Sequence, residues 1–358
     1  MKRLFLFLLA VLVASAQFTA AQTRPVSIAE APGSGAWANY DFVPGHRVLA
    51  YHDFDRTYIG NFPDRITYLA GNMEVVALPD GNQVLRTQNE GRFVVPLPEA
   101  LPEKFTVEFR VMATDKRSSV MMYAPSNPTM KHAKKPKDSM VALVSPAAAG
   151  LTVGKYNEGP KATQEIGGKA YIKRWAAIRI AVDGDYWKMY VDEKRVANVP
   201  QATFPRDSEL GFFLSMYPYD GDDLYIDDIR IAEGGRSMLY DELQANGMVI
   251  TYGILFDTGS HTLRPESTPT LMDIARLLTQ HGDLSLRIEG HTDNTGDDAI
   301  NQPLSQRRAE AVVAWLVDEA RVDANRLEAA GYGSTRPAEA NDSPEGRQAN
   351  RRVELHRL

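Results

Sequence analysis

The sequence contains no cysteine in its 358 residues, so it forms no disulfide bond and has no cysteine for lipid attachment. No apolar run after the first residues reaches the roughly 18 residues that a membrane-spanning helix needs. An excess of positive charge is also missing, because the formal net charge is −6 and falls to −8 without Lys2 and Arg3. This acidity argues against a nucleic-acid partner, which would require a basic face.

The first residues have the pattern of a secretory signal peptide. Lys2 and Arg3 precede the apolar run 4–13, and small residues follow. Cleavage after Ala21 is favoured over cleavage after Ala16, which would leave an unusually short peptide. We therefore expect a signal peptide at 1–21, an exported protein, and a Pro/Gly-rich linker at 22–40.

Residues 41–235 are dominated by alternation of apolar and polar side chains. Phe105–Val111 is one such run, and Asp80-Gly81 and Asp183-Gly184 are two-residue hairpin signals between others. Long helical patterns are missing from this part of the chain. The pattern predicts an all-β domain of ten to fourteen strands.

After Gly234-Gly235 helical and strand patterns alternate. Residues 236–250 are predicted to form a connecting helix and strand. In 251–358, amphipathic helices at Thr270–Gln280 and Pro303–Ala320 separate short strands such as the one that starts at Leu284. This order predicts an α/β domain, with one layer of helices on a small mixed sheet.

The helix after Pro303 carries an arginine in its apolar stripe. The stripe consists of Leu304, Ala311, Val312, Trp315 and Leu316. Arg308 lies near its centre, and a buried charge without a partner costs several kcal/mol. Asp293, at the end of the preceding strand, is the nearest carboxylate that the predicted architecture offers. The two charges together would suit a zwitterion, but a purely structural Asp293–Arg308 salt bridge explains the spacing equally well.

Several separated motifs resemble the OmpA-like peptidoglycan-binding domain over about 253–358. They are Ile254-Leu255-Phe256-Asp257, Ile288-Glu289-Gly290-His291-Thr292-Asp293-Asn294-Thr295-Gly296, Asn301-Gln302-Pro303-Leu304-Ser305-Gln306-Arg307-Arg308-Ala309, Gly331-Tyr332-Gly333 and Asn350-Arg351-Arg352-Val353-Glu354. The resemblance implies a non-catalytic site for the free end of meso-diaminopimelate in the peptidoglycan stem peptide. It also implies a place in the periplasm or at the outer membrane, attached to the cell wall.

The same resemblance assigns roles to individual residues. Asp293 and Arg308 match the family positions that bind the ammonium and the carboxylate of the ligand. Asn301 and Thr295 match positions that line the same cleft, and Arg352 matches a further contact. Leu304 is expected to contribute its backbone. The family often has a polar residue where this chain has Gly259, which puts one side-chain contact in doubt. His291 lacks a nucleophile or metal set around it, so we interpret it as structural.

Three stretches of the β-rich domain resemble strands of concanavalin A-like jelly-roll proteins. They are 101–109, 175–200 and 223–231. The resemblance implies a β-sandwich, and domains of this kind often bind glycans, but the ligand of this one stays open. Two alternatives also stay open: a sandwich that hydrolyses glycan, and an outer-membrane β-barrel with a wall-binding tail.

Hydrolysis would require paired carboxylates across a cleft. The tight Glu-x-Asp cluster of glucan-cutting relatives is missing, and the acidic residues near 225 are predicted to lie in a solvated turn at a strand border: Asp222, Asp223, Asp227 and Asp228. Asp222 and Asp223 are weak calcium candidates. We expect a non-enzymatic cell-envelope protein without a cofactor, whose partners are peptidoglycan and, as open options, a glycan and the outer membrane.

Overall fold

The computed structural model describes residues 40–358 apart from 116, 126–139, 146–147, 153–160, 166–170, 203, 217–221 and 236–238. The predicted signal peptide at 1–21 and nearly all of the linker at 22–40 lie outside the described residues. In the described ranges, no helix has the length and apolar character needed to cross a membrane.

In the described residues, the larger domain is an antiparallel sheet of thirteen strands. The strands are β1 Arg47–His52, β2 Thr67–Ala77, β3 Gln83–Pro96, β4 Lys104–Ala113, β5 Ser118–Tyr123, β6 Met140–Val144, β7 Ala148–Thr152, β8 Lys161–Glu165, β9 Ala176–Asp183, β10 Tyr186–Val191, β11 Lys194–Val199, β12 Glu209–Met216 and β13 Leu224–Glu233. Their order is β11-β10-β9-β4-β13-β3-β12-β5-β6-β7-β8, while β1 pairs with β13 and β2 with β3. The number of strands agrees with the prediction.

Strict alternation builds the core of this domain. In β4, Phe105, Val107, Phe109 and Val111 point to one side and are buried, because successive side chains of a strand face opposite sides. Both predicted hairpins form, and Gly184 has a φ of +58° in the turn between β9 and β10, a conformation that favours glycine.

The strand pairing differs from the expected separation into two sheets. Hydrogen bonding runs from β11 to β8 without a break, and the sheet curls so that these two outermost strands contact each other. The result is one large curled antiparallel sheet. The concanavalin A-like jelly roll stays a prediction.

The second domain is a four-stranded mixed sheet covered by helices. Its strands are β14 Met248–Thr251, β15 Leu286–His291, β16 Leu327–Gly333 and β17 Val353–Arg357, in the order β14-β17-β15-β16. Its helices are α1 Leu239–Asn246, α2 Thr268–Gln280, α3 Asp298–Asp318 and α4 Pro344–Asn350. Only β15 and β16 run parallel. This confirms the predicted α/β arrangement of the C-terminal part.

Residues 236–250 are more than a connection. β14 pairs with β17 at the edge of the small sheet, and Leu243 of α1 and Val249 of β14 enter the same core as Leu286 and Leu355. The helix and strand predicted for this stretch therefore complete the C-terminal domain.

The predicted helix at Pro303–Ala320 begins five residues earlier. The side chain of Asp297 accepts a hydrogen bond from the amide of Ala299, which caps the helix at its first turn. Pro303 consequently lies inside α3. The buried stripe is confirmed at Leu304, Val312 and Leu316, although Ala309 occupies the place predicted for Ala311.

The two domains contact each other along β1 and α4. The sequence patterns did not predict α4. Arg347 of α4 lies 3.6 Å from the Asp53 carboxylate, and the amide of Tyr51 lies 3.4 Å from Oε1 of Glu345. The guanidinium of Arg351 lies over the ring of Tyr51 at 5.8 Å. The large sheet therefore contacts the small domain next to the end of β15.

Candidate functional site

Glycines allow helix α3 to lie directly on the ends of β15 and β16. A Cβ atom on Gly290 would lie 2.4 Å from the carbonyl oxygen of Ser305, and one on Gly331 would lie 2.1 Å from the amide of Gln306. The hydroxyl of Ser305 accepts a hydrogen bond of 2.8 Å from the amide of Gly333. This close approach fixes the N-terminal half of α3 beside the loop that follows β15.

Asp293 lies in that loop and is buried. Its Oδ1 accepts a hydrogen bond of 2.9 Å from the amide of Thr295, and its Oδ2 accepts one of 2.5 Å from Nη1 of Arg351. A carboxylate has about four lone-pair positions for hydrogen bonds. Asp293 can therefore accept further donors without losing the contacts that orient it.

Asn301 joins the loop to the helix. Its Nδ2 donates to the carbonyl oxygen of Thr295 at 3.1 Å and to that of Asp293 at 3.4 Å. The predicted cleft residues Asp293, Thr295 and Asn301 are thus brought together, with Asn301 buried and Thr295 exposed. Leu304 is buried one turn further along α3.

Arg308 is half-buried on the same helix, and its guanidinium has no carboxylate partner among the described residues. Its Nε donates to the carbonyl oxygen of Ser260 at 2.9 Å, and its guanidinium lies 5.0 Å from the ring centre of Phe256. Burial lowers the pKa of Arg308, which the nearby Asp293 carboxylate partly offsets. The structural Asp293–Arg308 salt bridge considered above does not form.

The loop after Phe256 supplies the contact to Arg308 through its backbone. The bridge between Phe256 and Leu263 closes this loop, and Gly259 has a φ of +65° in it. Gly259, where the family often has a polar side chain, therefore allows the turn, and Ser260 contributes a carbonyl oxygen to Arg308.

The structure brings Arg351, and not Arg352, to the Asp293 carboxylate. Arg352 is buried beside Glu354, to which its Nε donates at 2.7 Å, and its Nη2 donates to the carbonyl oxygen of Arg336. It immediately precedes β17 and faces the Glu354 side of the sheet. Arg351 ends helix α4 and points to the loop of Asp293. The motif Asn350-Arg351-Arg352 predicts an arginine at the site, but it does not indicate which of the two faces Asp293.

The acidic residues near 225 differ from the predicted solvated turn. Asp227 is 1% exposed and binds Nη2 of Arg110 at 2.6 Å, so it belongs to the interior of the large domain. Asp222 lies 3.8 Å from Arg117, and Asp223 lies 3.7 Å from Arg86. Within the described ranges, which exclude 217–221, Asp222 and Asp223 do not combine with a third residue into a metal-binding group.

The arrangement around α3 offers two opposite charges to one guest. Nη1 and Nη2 of Arg308 make no hydrogen bond within the described part of the chain, and they form a planar fork suited to a carboxylate. The Asp293 carboxylate offers acceptors for an ammonium group. A small molecule that carries both groups on one carbon matches this pair in charge and in hydrogen-bond type.

Residues 255–351 match the model of the OmpA family. The predicted resemblance is thus confirmed for this part, and the chain has an OmpA-like C-terminal domain. The family match leaves all residues before 255 uncovered, so it says nothing about the large sheet.

Similar proteins match about a third of the chain. The outer membrane porin F of Pseudomonas aeruginosa is 43% identical over 101 residues, which are 28% of this chain and 29% of that protein. The outer-membrane lipoprotein YfiB of the same organism is 43% identical over 102 residues, or 28% of this chain and 60% of that protein. A solved structure of the cell wall anchor of the T6SS from Pseudomonas aeruginosa is 32% identical and covers 34% of this chain and 93% of its own, with a TM-score of 0.29. The match thus spans at most 60% of the length of these two curated relatives.

Proposed function

We propose that this chain is a cell-envelope protein whose C-terminal domain binds peptidoglycan through the free end of diaminopimelate in the stem peptide. Arg308 binds the carboxylate of that end, and Asp293 binds its ammonium group. Asn301 holds the loop in place, and Arg351 orients Asp293 from the other side.

The observation that carries the proposal is the state of Arg308. Its guanidinium is half-buried, yet its two terminal nitrogens bind no acceptor in the described ranges. Because these two nitrogens have no internal acceptor to give up, a carboxylate guest can bind them without breaking an ion pair of the fold. The neighbouring Asp293 carboxylate offers a negative charge to an ammonium group, which an amino acid has and a simple carboxylic acid lacks.

The expected energetics suit a wall anchor. Charge-assisted hydrogen bonds contribute about 1.5–3 kcal/mol each. A few of them, after the cost of association, correspond to affinities of about micromolar order. An insoluble polymer that repeats the ligand strengthens retention further through multiple attachment.

The proposal extends to location and to the lack of catalysis. Two of the relatives above are named as outer-membrane proteins, and the first residues have the pattern of an export signal, so both support the cell envelope as the location. His291, the imidazole two residues from Asp293, is buried without a nucleophile bonded to it in the described ranges, which supports binding without bond cleavage. For the large domain a glycan is the ligand class that its resemblance suggests.

Sedimentation of the mature chain with purified sacculi tests the proposal. We expect the wild type to sediment with the wall, and Arg308→Ala and Asp293→Ala to stay in the supernatant. Arg307→Ala is the matched control, because Arg307 is an exposed arginine on the same helix. Retention of both site variants at the wild-type level, with unchanged melting temperatures, would refute the assigned site.

A further inference from the structure

The face of the small sheet opposite its hydrophobic core carries a second cluster of chemistry-bearing side chains. Glu289 and His291 lie on β15, and Glu354 and His356 lie on β17, where Glu289 is paired with Glu354. These side chains are well buried: 1% of Glu289 and of His291 is exposed, 10% of Glu354 and 24% of His356. The peptidoglycan site proposed above does not use them.

Glu289, Glu354 and His356 bring one ligand atom each to within 4.8 Å of one another, and His291 lies at the edge of this group. Nε2 of His356 lies 2.7 Å from Oε2 of Glu354 and 3.4 Å from Oε2 of Glu289. Nε2 of His291 lies 3.7 Å from Oε1 of Glu354 and 3.9 Å from Oε2 of Glu289. Ligand atoms about 2.0–2.1 Å from a tetrahedral ion lie roughly 3.4 Å apart, so small side-chain shifts bring these atoms to coordination distance.

His291 points independently to a missing guest. Both of its ring nitrogens are buried, and neither has a hydrogen-bond partner in the part of the chain that the structure describes. A buried polar group without a partner costs about 1–3 kcal/mol.

Two arginines hold the carboxylates in an orientation that suits coordination. Nε of Arg287 donates to Oε1 of Glu289 at 2.6 Å, and Nε of Arg352 donates to Oε1 of Glu354 at 2.7 Å. Each carboxylate therefore keeps its Oε2 directed at His356. Hydrogen bonds of this kind to the ligands are common around protein metal sites.

We propose that Glu289, His291, Glu354 and His356 bind a divalent transition-metal cation of the Zn²⁺ class. Two imidazoles and two carboxylates are a ligand set that Zn²⁺ accepts in tetrahedral geometry. The ion enters past His356, the most exposed member. Arg336 opposes binding, because its Nη1 lies 3.6 Å from Oε2 of Glu289. Its side chain is 57% exposed and rests on the ring of Tyr332, so it is free to move away.

Metal titration of the tag-free, chelator-treated mature chain tests this site. We expect one equivalent of Co²⁺ to give the intense visible absorption of a tetrahedral site, and Zn²⁺ to displace it. His356→Gln should weaken Zn²⁺ binding by at least about tenfold. Arg336→Gln should strengthen it, because a competing positive charge is removed. His261→Gln is the matched control, since His261 is exposed and lies outside the cluster.

The opposite results identify a cluster of ion pairs that binds no metal. Weak octahedral Co²⁺ spectra in the wild type would overturn the site. Equal losses in His356→Gln and His261→Gln would do the same, because they would indicate adventitious surface binding. If His356→Gln fails to fold, the Zn²⁺ affinity of Arg336→Gln tests the site instead. Affinity equal to or weaker than that of the wild type would contradict the proposal. Sacculus retention is a separate readout, so the two proposals can fail independently.

Discussion

Two arginines, Arg230 in the large sheet and Arg308 in the small domain, differ in the partners of their guanidinium groups. In the large sheet, Arg230 is 4% exposed and donates to Glu108 and to the carbonyl oxygen of Gly45, both at 2.7 Å. In the small domain, the half-buried Arg308 donates through Nε to one carbonyl oxygen, and within the described residues its guanidinium makes no further hydrogen bond. Arg230 is paired with a carboxylate inside the fold, whereas the guanidinium of Arg308 has no carboxylate partner in the described residues and can bind one from a ligand. The comparison explains why burial alone does not identify a binding residue.

The largest expected difference is in stability. Arg230→Met leaves Glu108 without its closest partner, and we expect it to lower the free energy of unfolding by about 3–5 kcal/mol. Arg308→Met removes no paired charge and should lower that free energy by less than about 1 kcal/mol. Urea unfolding of both variants measures the difference, and equal losses would break the comparison.

A smaller loss of stability, without a loss of wall binding, is expected from Leu304→Ala in helix α3. Leu304→Ala removes a buried side chain and should cost about 2–3 kcal/mol of stability. Its backbone stays in place, so sacculus retention should remain within about twofold of wild type well below the melting temperature. Loss of retention in a folded Leu304→Ala protein would show that the side chain contributes to the ligand contact.

The smallest effect concerns pH and the region where the two domains meet. Burial is the main cause that lowers the pKa of His52 to about 4, against 6.5 for an unperturbed histidine. The folded state therefore binds the proton less well than the unfolded state. The contribution of neutral His52 to the free energy of unfolding is complete above about pH 6.5 and is lost as the pH falls toward 4. Between pH 7 and 5 we expect His52 to account for about 2 kcal/mol of the loss. His52→Gln should show a correspondingly flatter pH profile in urea unfolding, and an unchanged profile would exclude this residue as the source.

Local patterns predicted much of both domains. Alternation and turn residues indicated the β-rich domain and its hairpins, and the periodicity after Pro303 placed Arg308 in the buried stripe of a helix. Asp293 followed from the end of the predicted strand, whereas Asn301 was assigned through the family resemblance. These features depend on residues close in sequence, so they can be predicted without knowledge of the whole fold.

The remaining features depend on contacts between distant residues. The pairing of β15 with β17 brings Glu289 to Glu354 across 65 positions, and neither strand alone indicates the cluster. The exit angle of α4 decides that Arg351 faces Asp293 while Arg352 faces Glu354. The continuity of the large sheet likewise results from strand pairings that no local pattern encodes.

Calorimetric titration of the mature chain with meso-diaminopimelate, pimelate and cadaverine tests the recognition of two charges most directly. Pimelate keeps the two carboxylates without the ammonium groups, and cadaverine keeps the ammonium groups without the carboxylates. We predict measurable binding of meso-diaminopimelate alone, abolished in Arg308→Gln and in Asp293→Asn. Binding of pimelate with the same affinity, or binding of meso-diaminopimelate that survives both substitutions, would contradict the account.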